Sequence, residues 1–373
     1  MHQIRNHATA RLRYRNKHTR DAIGNRNNAL VATGLAGEII MRKLLLAAAL
    51  CALAFSPSAV SAEDPIVIKF SHVVAPDTPK GKASEKFKEL AEKYTNGKVK
   101  VEIYHNSTLY KDKEELEALQ LGAVQMLAPS NSKFGPIGVK EFEVFDLPYI
   151  LPNIPALRKV TGGPLGKKLL SLLQAKGMVG LAYWDNGFKQ MSANKPLRKS
   201  EDFQGLKFRI QSSKVLEAQF RALGAVPQVM AFSEVYQALQ TGVVDGQENT
   251  PSNIYTQKMH EVQKFISHTD HGYIGYVVVV NKPFWDGLPA DIRTQLEKAV
   301  ADATEYGNEI SQQENAKAFE EIKKSGKSTI LELTPDENAA LRNAMQPVYK
   351  EMAARLGQGI IDDFLKEAGS ATH

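Results

Sequence analysis

IVIKFSHVVAPDTPKGKASEKFKELAEKYTNGKVKVEIY, residues 66–104, sets out the plan of the chain. Ile66 to Phe70 reads as a buried strand. Lys80 to Tyr94 then repeats apolar residues (Ala83, Phe87, Leu90, Ala91, Tyr94) at helical spacing, with lysines and glutamates on the other face. Asn96-Gly97 stops the helix, and Lys98 to Tyr104 is a second strand. Outward from there, Lys111 to Leu121 is predicted as a helix ended by Gly122, and Val124 to Ala128 as a third strand. Strand and helix in this alternation build parallel sheets.

Prolines punctuate the middle of the chain: Pro129, Pro136, Pro148, Pro152, Pro155 and Pro164. Met178 to Trp184 and Lys189 to Ala193 read as consecutive strands around a polar turn, Asp185-Asn186-Gly187. Leu206 to Ile210 is a strand leading into the helix Lys214 to Leu223. Val226 to Met230, Phe232 to Leu239 and Val243 to Asp245 repeat strand, helix, strand, and Tyr273 to Val280 is the most apolar strand of all. Helical character runs from Pro289 to about Lys324, broken only by Gly307, whereas ordinary helices average about a dozen residues. Such a helix braces two lobes or makes a dimer seam. Thr334-Pro335-Asp336-Glu337 opens a last helix in N-cap fashion. We read no internal repeat, no low-complexity segment and no membrane span after residue 62.

The N-terminal portion reads separately. Met41-Arg42-Lys43, the apolar run Leu44 to Phe55, the breaker Ser56-Pro57 and the small-residue exit Val60-Ser61-Ala62 make up a cleaved export signal. The apolar run is too short for a membrane anchor. The mature chain would begin near Glu63, and residues 1–40 are an upstream extension or a start assigned too early. The formal charge of +6 misleads accordingly. Nine of the 47 basic and two of the 41 acidic residues precede Glu63, leaving 38 and 39 and a net charge of −1. A neutral mature chain gives no grounds for a nucleic-acid partner. The single cysteine, Cys51, lies inside the signal behind Leu50, which rules out lipid attachment, disulfides and thiol chemistry in the mature protein.

Catalytic patterns are missing. There is no Gly-x-Ser-x-Gly elbow, phosphate loop or dinucleotide fingerprint. In His260-Glu261-Val262-Gln263-Lys264 a lysine takes the place of the second histidine of a zinc-protease helix. Glu114-Glu115 and Asp362-Asp363 fit exposed helix faces. A binding protein without metal or cofactor is expected, not an enzyme.

The run Ala231-Phe232-Ser233-Glu234-Val235-Tyr236-Gln237-Ala238-Leu239-Gln240-Thr241-Gly242-Val243-Val244-Asp245-Gly246-Gln247-Glu248-Asn249 resembles the solute-binding proteins of tripartite ATP-independent periplasmic (TRAP) transporters, in the C4-dicarboxylate-binding branch. Gly205-Leu206-Lys207-Phe208-Arg209, Phe145-Asp146-Leu147-Pro148-Tyr149, Glu261 to Phe265 and Phe70-Ser71-His72-Val73-Val74 extend the match from Ile66 to the C-terminus. The resemblance implies a two-lobed α/β periplasmic-binding-protein-like fold with a long helix spanning both lobes. Lobe one would take residues 63–186 and 275–314, lobe two residues 187–274 and 315–373.

By the same resemblance Arg209 grips the ligand carboxylate, in the bidentate geometry that only a guanidinium offers. Lys189 would be a second cation, Asn249 a hydrogen-bonding amide and Phe232 an apolar wall. His72, after the first strand, and Ser130 and Asn131, after the third, would face the cleft, where open α/β sheets hold ligands. Tyr273 and Lys80 join them through their neighbours. The implied function is periplasmic capture of succinate, malate or fumarate and delivery to the small and large permease subunits, driven by an ion gradient, as a monomer or dimer. A monocarboxylate, a sugar acid or a sensory role are the alternatives.

Overall fold

In a computed structural model, which describes residues 64–369, the alternating elements build two separate sheets. The export signal, the stretch before it and Cys51 lie outside the described residues. The first sheet holds β1 (Ile66–Ser71), β2 (Val99–Tyr104), β3 (Met126–Leu127), β4 (Met178–Phe188) and, from much later, β10 (Tyr273–Asn281), in the order β2-β1-β3-β10-β4. The second holds β5 (Gln190–Ala193), β6 (Lys207–Ile210), β7 (Val226–Val229), β8 (Gly246–Asn249), β9 (Phe265–His268) and β11 (Thr329–Glu332), in the order β11-β9-β5-β8-β6-β7. Each sheet carries its own packed lobe.

Four strands of each sheet follow one plan, and here the expectation of no internal repeat is corrected. β2-β1-β3-β10 and β7-β6-β8-β5 share direction and register: Phe70 faces Met126 as Phe208 faces Gly246, and Ser71 faces Leu127 as Arg209 faces Gln247. Gln125 Oε1 accepts the Lys69 amide at 3.0 Å, and Asp245 Oδ2 accepts the Lys207 amide at 2.8 Å. The sequence carries the same echo. Ala-Leu-Gln-x-Gly-x-Val recurs at 118–124 and 238–244, and Pro-Ser-Asn at 129–131 and 251–253. Gly122 and Gly242 both turn the chain at positive φ (76° and 72°), which explains why glycine stands in both copies.

The chain crosses between lobes at β4 to β5, at β9 to β10, and through the helix Ala290–Ser325. Ile292, Leu296, Ala299 and Ala303 of this helix pack into the first lobe, and Ile322 packs into the second beside Val244 and Ile266. Gly307 does not interrupt it. A side chain there would lie 2.7 Å from Ala83 Cβ, so the glycine lets the helix Pro79–Tyr94 approach closely.

The expected turn at Asp185-Asn186-Gly187 is instead continuous β4, paired with β10 across a register shift at Ile274/Gly275. Asparagines on the long helix satisfy its backbone: Asn308 Oδ1 accepts the Asp185 amide (2.8 Å), and Asn315 Nδ2 donates to Asn186 O (2.7 Å). The C-terminal helices also depart from expectation. Pro335–Met345 packs on lobe two through Leu341 and Met345, but Phe364 and Leu365 of Gln358–Ala368 pack with Phe145, Leu157 and Leu169 of lobe one. Thr334 caps its helix as expected, and with Glu337 it forms a capping box.

Candidate functional site

Residues at or just past the carboxyl ends of β1, β3 and β6 come together in the cleft between the lobes and line one small cavity. Lobe one contributes Lys80, Asp112, Ser130 and Lys133, and lobe two contributes Arg209, Gln211, Phe232, Asn249 and Asn253. Tyr276 and Ile274 of β10 complete the wall.

Arg209 is the third residue of β6, a strand flanked on both sides, and its side chain is buried. Nε and Nη2 donate to Met230 O at 3.1 and 2.9 Å, and Phe232 lies 5.9 Å below the guanidinium carbon. These contacts fix the plane and leave the outer edge for a guest. Burial lowers its pKa to about 10, which leaves it protonated at neutral pH.

Lys80 sits in the first turn of the helix Pro79–Tyr94, capped by Thr78. Its Nζ donates to Ala128 O at 2.9 Å and lies 3.8 Å from the Tyr276 ring centroid. Lys133 follows β3 and contacts Asp112, with Glu115 3.6 Å away. Burial pushes Lys80 down to about 8 despite the opposing charge of Glu115; burial pushes Glu115 up to about 8 despite Lys80. Burial also lowers Lys133, helped by Lys80 and Arg209. Three cationic side chains line one cavity while two of them, Lys133 and Arg209, share the carboxylate of Asp112, so the lining favours an anion. Asn249 Oδ1 accepts the Thr250 amide (3.0 Å) and Asn253 Nδ2 (2.8 Å), so its own Nδ2 is left to donate. Ser130 Oγ donates to Gln211 Oε1 at 2.5 Å and ties the two lobes together.

Five expected residues thus meet at one wall: Arg209, Asn249, Phe232, Ser130 and Lys80. Four do not line it. Lys189 lies in the crossover between β4 and β5 and turns into the lobe-two core, where its Nζ contacts Glu248. His271 Nε2 stands 3.0 Å from the same carboxylate, so this buried cation is already answered by protein. His72 is buried behind the wall with Nε2 2.9 Å from His105 Nδ1, and burial lowers its pKa well below the usual value, keeping it neutral. Asn131 turns into lobe one beside Gly275. Tyr273 packs against Phe188 at 5.8 Å and lies near Asp185.

The family model described as bacterial extracellular solute-binding protein, family 7 (DctP), matches residues 70–356. The chain belongs to this family. It is 67% identical over 306 residues to the C4-dicarboxylate-binding periplasmic protein DctP of Rhodobacter capsulatus, covering 82% of this chain and 92% of that one. A TRAP periplasmic solute-binding protein of Shewanella oneidensis solved with succinate superimposes with a TM-score of 0.80 at 42% identity, over 82% of this chain and 99% of that one. One of Pseudomonas aeruginosa solved with L-malate gives 0.75 at 46%, over 77% and 100%.

Six of the wall residues named above were not among those expected for this DctP-family chain: Asp112, Lys133, Gln211, Asn253, Ile274 and Tyr276. Lys133 lies only three residues beyond Ser130 on the same loop and was within reach of that argument. Asp112 and Gln211 carried no signal; Asp112 hides in the charged run Lys111 to Glu115. Glu115, expected on an exposed face, is buried.

Proposed function

We propose that this DctP-family protein captures a C4-dicarboxylate in its cleft and delivers it to a TRAP membrane permease. The observation that carries this reading is the composition of the wall: Lys80, Lys133 and Arg209 line it with the single carboxylate of Asp112, so the lining cations outnumber the lining anion by two. Two carboxylates of a short guest balance that excess, and buried charges demand such pairing. The names of the relatives point the same way. Closure is favoured because the guest engages Arg209 on one lobe and lysines on the other, a differential affinity that an open cleft lacks. The protein would work outside the inner membrane after removal of Met41–Ala62, release its guest unaltered, and dock on small and large permease subunits when closed.

Calorimetry with the chain from Glu63 tests this. Succinate, L-malate and fumarate should each bind, while propionate, which keeps one carboxylate, should bind at least tenfold more weakly. Equal affinity for propionate and succinate would remove the dianion reading.

A pH dependence follows from Lys80. A dianion favours the protonated amine and raises its pKa above the value of about 8 that burial gives it. Binding above pH 8 therefore takes up a proton, and affinity falls as pH rises from 7 to 9, by about tenfold for one proton. Glu115, ionising over the same range, adds repulsion of the same sign. Calorimetry at both pH values, in buffers of different ionisation enthalpy, checks it. A constant Kd with no buffer dependence would contradict it.

A further inference from the structure

The wall is built almost entirely of donors. Lys80, Lys133, Arg209 and the Asn249 amide all present N–H groups, which suits a guest offering only carboxylate oxygens. A hydroxyl on the guest has a different need: an acceptor. Among the side chains, Gln211 Oε1 is taken by Ser130 and Asn249 Oδ1 already accepts two bonds, whereas Asn253 Oδ1 is a neutral amide acceptor without a partner. Asp112 is the one charged acceptor on the wall, and it lies beside Arg209. One of its oxygens contacts Lys133 and the other accepts the Phe232 amide at 2.5 Å, so a carboxylate with about four lone-pair directions has capacity to spare. Its Oδ2 lies 3.9 Å from Arg209 Nη2, within reach of a hydroxyl on the carbon next to a carboxylate held by that guanidinium.

We propose that Asp112 is a specificity-determining residue that accepts the hydroxyl of a 2-hydroxydicarboxylate and sets its affinity relative to the unsubstituted acid. The proposal rests on the dicarboxylate reading. It gives a physical basis for the choice between succinate and malate, the guests of two solved relatives, which differ by that one hydroxyl. The acceptor is charged, and hydrogen bonds to charged groups are the stronger kind.

The test is the ratio of affinities for L-malate and succinate, measured by calorimetry on the wild type and on Asp112→Asn, with Asp112→Ala as a second variant should the first fold poorly. Removing the negative charge strengthens both dianions alike and alters closure alike, so a merely structural role leaves the ratio unmoved. The expected result is a malate-to-succinate ratio about tenfold lower in the variant, with both acids still bound. A common shift in both affinities at constant ratio overturns the proposal. Failure of the wild type to bind either acid would instead overturn the dicarboxylate reading, and this proposal with it.

Discussion

Arg209→Ala should weaken succinate binding by a factor between about 30 and several thousand, the range spanned by roughly 2–5 kcal/mol for a buried charge pair left half-made. The guanidinium does two jobs at once. Its Nε and Nη2 hold Met230 O, and its outer edge faces the cavity. Arg209→Lys keeps a charge but lacks the planar fork, so it should recover little of the loss. Titration calorimetry measures both variants, and thermal melts confirm that each is folded. A lysine variant within threefold of wild type would show that guest recognition does not pass through this side chain.

Glu248→Ala should act on stability, through Lys189. The pair is fully buried, and removing one partner strands a charge in the lobe-two core at a cost of about 3–5 kcal/mol. Each kcal/mol moves Tm by roughly 2–4 °C in domains somewhat smaller than this chain, so a loss of several degrees is expected. The acid limb carries a second signature. Burial alone would raise the Glu248 pKa, but Lys189 and His271 overcome it and hold the carboxylate at about 2. Its folded pKa thus lies below the unfolded value of about 4.3. Its contribution is complete above that value and is lost as pH falls toward 2. Melts of wild type and variant should therefore differ less at pH 3 than at pH 7. Parallel behaviour at both pH values would mean that the pair contributes nothing through ionisation.

Lys189 also shows where residue-by-residue inference stops. The alternation of strand and helix, the long helix and the place of Arg209 on β6 were legible because they depend on local period and on a long matched run. The direction of Lys189 was not. It stands between Phe188 of β4 and Gln190 of β5, where the chain changes sheets, and in that crossover strand parity no longer predicts which way a side chain turns. Asp185-Asn186-Gly187 misled for a related reason: turn-forming residues stay extended when asparagines 120 or more residues away meet their backbone groups. Glu115 looked solvated because its neighbours are charged, yet its burial depends on Lys80 and Lys133, brought in from two other segments.

The matched strand registers of the two lobes have a consequence for how capture begins. One framework, built twice, has two equivalent positions that are filled differently: an arginine at 209, which lines the cavity, and a serine at 71, which does not. A guest anion therefore meets the planar fork of Arg209 on one wall and the buried point-charge amines of Lys80 and Lys133 opposite. The two walls differ in chemistry although their strands share one plan, because equivalent rungs hold different side chains.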